Sequence, residues 1–189
     1  MEDMSSYTEG QVHQLVEAFE KKGGLTSDHL TKLGQSDLSL LRGWLDGLSE
    51  IKPIECAIDC GADPFVPNGW KVESHQKDGI IRWSLQDTVL YLSKKQKDGG
   101  VISGYDLQKE LAAKKVLNAN VLDYLLAHQH LIPESWKGKA VFFWGTIYRD
   151  ASGNLYVRYL YWIGVRGVWH CHWLGSGFGS NFPSALRGK

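Results

Sequence analysis

The chain has 189 residues, 43% of them hydrophobic and 22% charged, with Lys plus Arg and Asp plus Glu both at 21. That is enough apolar material for one substantial core with a small appendage, and too much for a disordered segment. No window approaches the roughly 20 uninterrupted apolar residues of a membrane-spanning helix, so no membrane partner is expected.

The start, Met1-Glu2-Asp3-Met4-Ser5-Ser6, is acidic where a secretory leader is basic and then apolar, which points to the cytoplasm. Residues 1–52 read as an acidic unit of three helices. Val12, Leu15, Val16 and Phe19 recur at helical spacing within Tyr7 to Lys22, and Gly23-Gly24 stops that helix. Thr26 or Ser27 caps a second helix that carries Leu30 and Leu33 and ends at Gly34. A third follows Ser36, with Leu38, Leu41, Trp44, Leu45 and Leu48 forming a stripe that needs a partner.

Residues 53–69, with Pro53, Pro64, Pro67 and Asn68-Gly69, read as a connector. A single helical turn around Glu55 to Asp59 would set Cys56 and Cys60 at i and i+4, a possible ligand pair. Three cysteines, with Cys171 far away, suit a reduced compartment better than a set of disulfides.

Residues 70–189 read as an α+β domain. Trp70 to Glu73 and Ile80 to Trp83 flank Asp78-Gly79 as a hairpin, and Val89 to Leu92 suits strand or helix. Ser103-Gly-Tyr-Asp106 matches a capping box before Leu107 and Leu111, while Asn118 or Asn120 caps a helix burying Val121, Leu122 and Leu125. Ala140 to Arg149, Leu155 to Ile163 and Val168 to Leu174 then form an antiparallel meander, the first turn being Asp150-Ala-Ser-Gly-Asn154. The glycine-rich Gly175 to Ser180 reads as an irregular cap. It lacks the helix start and Lys-Ser/Thr of a phosphate loop.

Three stretches carry a resemblance: Val116-Leu-Asn-Ala-Asn-Val-Leu-Asp-Tyr-Leu-Leu126, Leu131-Ile-Pro-Glu-Ser-Trp-Lys-Gly-Lys139 and Phe142-Phe-Trp-Gly-Thr-Ile-Tyr-Arg149. Together with Ala62-Asp-Pro-Phe-Val-Pro-Asn-Gly-Trp-Lys-Val72, they resemble an uncharacterised family of proteins predicted from candidate-phylum and other environmental bacteria, with a Trp-rich and Tyr-rich C-terminal end. The resemblance implies no activity, cofactor or catalytic residue. The chain departs from that family at Gln129, between His128 and His130, and at its C-terminal end.

The zero net charge conceals a gradient: residues 1–55 sum to minus five, 56–135 to minus one and 136–189 to plus six. The last stretch also holds thirteen of the 22 aromatic residues. Basic and aromatic residues on one sheet suit nucleic acid, because cations neutralise phosphates and flat rings stack on bases. The candidate phosphate contacts are Lys137, Lys139, Arg149, Arg158 and Arg166, and the candidate stacking residues are Tyr156, Trp162, Trp169 and Trp173. Large side chains alternate onto both faces of these strands, so either one face is a platform or both are core. Chemistry opposes a helix-turn-helix reading of the second and third helices, since a recognition helix needs basic or amide groups, whereas this one offers Asp37, Ser39, Arg42 and Asp46 in the acidic third of the chain.

His170 and His172 share one face of a strand and form a weak candidate metal pair, short of the third protein ligand zinc needs. No Gly-x-Ser-x-Gly elbow is present, no spacing selects a catalytic triad, and no cofactor is indicated. The expectation is a non-enzymatic binding protein whose partner is nucleic acid or a nucleoprotein. The alternative is a protein-interaction module, or a protein sequestering a nucleotide-like or sugar ligand.

Overall fold

The computed structural model describes residues 8–22, 26–35, 39–48 and 56–188. The chain divides into two compact units, Met1–Ile54 and Glu55–Lys189. In the first, α1 (Glu9–Glu17) continues as a wider π-type turn over Ala18–Lys22, followed by α2 (Ser27–Gly34) and α3 (Ser39–Leu45). Thr26 caps α2: its Oγ1 accepts the His29 N–H at 3.4 Å, while the His29 ring accepts the Thr26 N–H at 3.1 Å. The expected stop at Gly23-Gly24 and the start after Ser36 lie outside the described residues. Val12, Leu15, Leu45 and Leu48 are exposed, so the described residues do not show a packed three-helix unit. Among the described residues no helix is long and apolar enough to cross a membrane.

The second unit is α+β. Its long strands β6 (Val141–Arg149), β7 (Leu155–Ile163) and β8 (Arg166–Trp173) pair consecutively and antiparallel, as the hydrophobic runs predict. At the first turn Gly153 takes φ +88°, and Asp150 Oδ1 accepts the Asn154 N–H at 2.8 Å. The sheet is larger than the expected meander. The C-terminal β10 (Ser184–Arg187) inserts between β6 and β4 (Thr88–Tyr91), giving the order β4-β10-β6-β7-β8. β10 lies antiparallel to β4 and touches β6 in parallel at Ser184 opposite Phe142.

Three further expectations change. β1 (Ala57–Asp59) is a strand rather than a helical turn, so Cys56 and Cys60 bracket extended chain and do not face one another across a turn of helix. The hairpin of 70–83 does not form: β2 (Lys71–His75) pairs with β6, and β3 (Ile80–Arg82) pairs with β1. The glycine-rich tail is not wholly irregular, because β9 (Gly177–Phe178) pairs with β5 (Ile102–Ser103).

The helices start where their caps predict. The Ser103 Oγ accepts the Asp106 N–H at 3.2 Å to open α5 (Gly104–Leu111). A short α4 (Lys94–Lys97) opens on a reciprocal Ser93–Gln96 capping box that the apolar spacing did not reveal. Asn118 opens α6 (Ala119–Ala127), its Oδ1 accepting the Asn120 N–H at 3.1 Å. The rest of its buried amide ties distant chain together, with Nδ2 donating to Cys60 O and Gln76 O, both at 2.9 Å. Asn120 Nδ2 donates to Asp59 O at 2.8 Å and Ala62 O at 2.9 Å. These two asparagines hold the former connector onto α6.

Every residue of β6 except Arg149 is buried, as a strand covered on both faces requires. On one face Val141 and Phe143 join Val121, Leu122 and Leu125 of α6, together with Ile132 and Trp136. On the other, Phe142, Trp144 and Ile147 join Leu107 and Leu111 of α5, with Phe178 and Leu174. Strict alternation would put Ile147 with Phe143, but the register with β7 shifts between Phe142 and Ile147 and reverses the faces. The reversal centres on Gly145, where α6 begins: an added Cβ would stand 2.8 Å from the Asn118 Cβ and 2.9 Å from its Cα. Only glycine lets the strand pass so close to the cap.

Candidate functional site

Cross-strand register places Trp162 opposite Gly167, Leu160 opposite Trp169, Arg158 opposite Cys171 and Tyr156 opposite Trp173. Directly opposed residues share a face, so all four candidate stacking residues lie on one side of β7 and β8. β8 ends the order of the sheet, which leaves its outer side without a strand partner among the described residues. Trp169 and Trp173 are 38% and 43% exposed there. Four residues apart on a strand, they stand about 13 Å from one another. Tyr156 is half-buried against Trp70, with ring centroids 4.5 Å apart, and Trp162 is half-buried against the α6 core with its Nε1 buried and unpartnered.

The cations divide differently from expectation. Arg158, expected to contact phosphate, is 1% exposed and cannot reach one. Its two terminal nitrogens donate to Asp123 of α6 at 3.0 and 2.6 Å, and its guanidinium lies over the rings of both Trp169 (4.5 Å) and Phe65 (5.1 Å). Burial, the largest single influence, would depress its pKa, but hydrogen bonding and charge attraction from Asp123, with a contribution from Tyr148, together raise it and keep the group cationic. Alongside, Tyr148 donates to Phe65 O at 2.9 Å, and desolvation pushes its hydroxyl up to about 12. This group is an internal clamp joining α6, β6, β7, β8 and the 60s segment.

Arg149 is also committed. Its Nε and Nη2 donate to Glu73 at 2.7 and 2.6 Å, and its Nη1 donates to Gly153 O at 2.8 Å, so three of its five N–H donors are taken and Glu73 already offsets its charge. Lys137 sits 4.8 Å over the Trp162 ring and pairs with the exposed Glu134 at 2.6 Å. A surface pair of that kind opens readily. Lys139 is half-buried and its Nζ donates to Ser135 O. Arg166 is exposed at the β7–β8 turn.

The opposite face of the same strands carries His170 and His172. His172 is half-buried among Phe178, Phe182 and Phe142, at 4.7, 5.4 and 5.9 Å, and desolvation lowers its pKa. His170 is exposed beside Tyr159 at 5.9 Å. Among the described residues no group of three His, Cys, Asp or Glu side chains is placed to hold a metal ion. Cys60 and Cys171 are both pushed up to about 11 by burial, which makes them poor nucleophiles at neutral pH.

A second cluster, not nominated by sequence, lies at the other edge of the sheet. Arg82 at the end of β3, Lys115 before α6 and Arg187 of β10 line one cleft of about 280 Å³, with Trp83, Ser84 and Asp87. Arg187 was visible only as one charge of the basic tail, and Arg82 and Lys115 belong to stretches with no excess of positive charge. No local signal joins the three; β10 inserting beside β4 does. Four strand spacings of about 4.8 Å separate this edge from β8, roughly 19 Å across the sheet.

No family model matches the chain, and neither a curated protein nor a solved structure matches it.

Proposed function

We propose that the protein is a non-enzymatic binding protein for single-stranded nucleic acid, contacted along the edge strand β8, where Trp169 and Trp173 are exposed beyond the part of the β7–β8 face covered by α6. The observation that carries this reading is the exposure of Trp169 and Trp173 on one face of an edge strand, in line with Trp162 and Tyr156. Stacking of a base on such a ring contributes about 1–3 kcal/mol and tolerates any base. Lys137 and Arg166 flank the Trp162 end of this track, and Lys139 lies close by in sequence. Arg158 supports the track from beneath by holding Trp169 in place, and Arg149 takes no direct part.

Three available cations rather than five set the expected salt dependence. For a single strand the slope of log affinity against log salt is about −0.7 per neutralised phosphate, so about −2 is expected here rather than −3.5. Titration of a labelled homopolymeric oligonucleotide at several salt concentrations, followed by tryptophan quenching, measures it. Trp173→Ala should weaken binding by one to two orders of magnitude, the loss of one stacked base. Unchanged affinity in Trp173→Ala, or no binding to any single strand at low salt, overturns the proposal. In that event the same exposed indoles favour a protein partner, whose affinity would depend little on salt.

A further inference from the structure

We infer that the cleft between β3, β4 and β10 is a second binding site, for a terminal phosphate monoester. The inference does not depend on the nucleic-acid track along β8, which lies at the opposite edge of the sheet. Three cationic side chains, Arg82, Lys115 and Arg187, reach the cleft from segments 33 and 72 residues apart, and Asp87 is the sole acidic residue among its described lining. With Arg82 engaged in an interaction of its own, Lys115 and Arg187 against Asp87 still leave the lining net positive. A phosphate monoester carries about −1.5 to −2 at neutral pH, whereas a diester linkage within a strand carries −1, so the lysine–arginine pair attracts the monoester more strongly.

The geometry favours the same ligand. Main-chain bonding brings two of the cations together, the Arg187 N–H donating to Lys115 O at 2.8 Å. Both side chains are exposed on a rigid frame, because β10 is paired on both sides and Leu117 N–H donates to Ala185 O at 2.9 Å. Gathering like charges is unfavourable unless an anion offsets it, and an arginine beside a lysine supplies both the planar fork and the point charge that bind phosphate. Arg82 has a further interaction of its own and serves as the wall of the cleft rather than its principal donor. The floor is apolar, from Ile81 and Leu117, and Trp83 stands half-buried at the side. A volume of about 280 Å³ admits a phosphate with part of the group it esterifies, not a folded strand.

The test uses the full chain with adenosine monophosphate, adenosine, and an eight-nucleotide strand bearing either a 5′-phosphate or a 5′-hydroxyl, titrated by calorimetry. Adenosine monophosphate should bind at least 30-fold tighter than adenosine, and Lys115→Glu with Arg187→Glu should weaken it by at least 100-fold. Lys115→Gln alone should weaken it about tenfold. Both side chains are exposed, and an unchanged melting temperature checks that the variants fold. A 5′-phosphate preference in the strand, lost in the same variants, places the monoester at a nucleic-acid end, and binding of the mononucleotide alone places it on a small molecule. Equal affinity for adenosine and its monophosphate, no binding of any monoester, or unchanged binding in the doubly reversed chain each overturns the inference. Trp173→Ala should leave monophosphate affinity unaltered, so failure of the β8 track and failure of this cleft are separately visible.

Discussion

Replacing Asp123 by Asn tests whether Arg158 is a structural clamp. The substitution keeps shape but turns one of the two accepting oxygens into an amide donor and removes the negative charge bonded to a guanidinium that is 1% exposed. Removing one partner of a buried pair typically costs 3–5 kcal/mol, because the remaining charge is stranded. The Asp123 side chain is 33% exposed, so water reaches one side of the pair and the expected loss is at the low end, about 3 kcal/mol. With a urea m-value of about 2 kcal/mol/M for a body of this size, the unfolding midpoint should fall by about 1.5 M. Tryptophan fluorescence is the natural probe, since Trp169 rests on Arg158 at 4.5 Å and should report its release directly. The paired change Asp123→Leu with Arg158→Met removes both charges and should recover most of the loss. A loss below about 1 kcal/mol for Asp123→Asn, or a double variant as unstable as the single, would refute the clamp.

Two further changes probe the frame around the sites. Gly145→Ala should destabilise the second unit by about 1–3 kcal/mol, because the new methyl would meet the Asn118 backbone and Cβ at under 3.0 Å and neither can swing aside; a neutral result in denaturant unfolding would show that β6 can shift away from α6. Stability should also fall on the acid side. His172 has a folded pKa below its usual 6.5, so the unfolded chain takes up the proton first and stability drops as pH falls below about 6.5 toward the folded value. The groups facing it are His170 on its own strand and the aromatic rings of Phe142, Tyr159, Phe178 and Phe182, with Gly177 O at 3.2 Å from Nε2. Melting temperatures between pH 8 and pH 5 should therefore show a shallower fall in His172→Phe than in the parent chain, and identical slopes would exclude His172 as a contributor.

Much of the second unit is legible in the sequence where the determinants are local. The caps at Ser103 and at Asn118 or Asn120, the turn at Asp150 to Asn154 and the strands β6, β7 and β8 around it all depend on hydrogen bonds or side-chain periods within about ten residues. The alternation rule puts Tyr156 and Trp162 on one face of β7, and only the cross-strand register joins Trp169 and Trp173 of β8 to them. It failed on β6, since a shift in register caused by close approach of Asn118 to Gly145 reverses the faces and alternation carries no trace of a contact with chain 27 residues away.

Partner choice was the larger gap. Basic composition marked Arg149 and Arg158 as cations but could not show that Glu73 and Asp123, 76 and 35 residues upstream, hold them internally. An arginine reads the same in sequence whether it meets a carboxylate of its own chain or a phosphate. Likewise β2 and β3 have the periodicity of a hairpin, yet each finds a better-covered partner elsewhere, in β6 and β1. The α+β class, the caps of α5 and α6 and the alternation of side chains along β7 follow from short-range chemistry and were readable by themselves. Which face is covered, which cations are already paired, and the gathering of Arg82, Lys115 and Arg187 at one cleft depend on β10 returning to the sheet and α6 docking across it. Those are long-range contacts, and the free energy that selects them belongs to packing rather than to any local pattern.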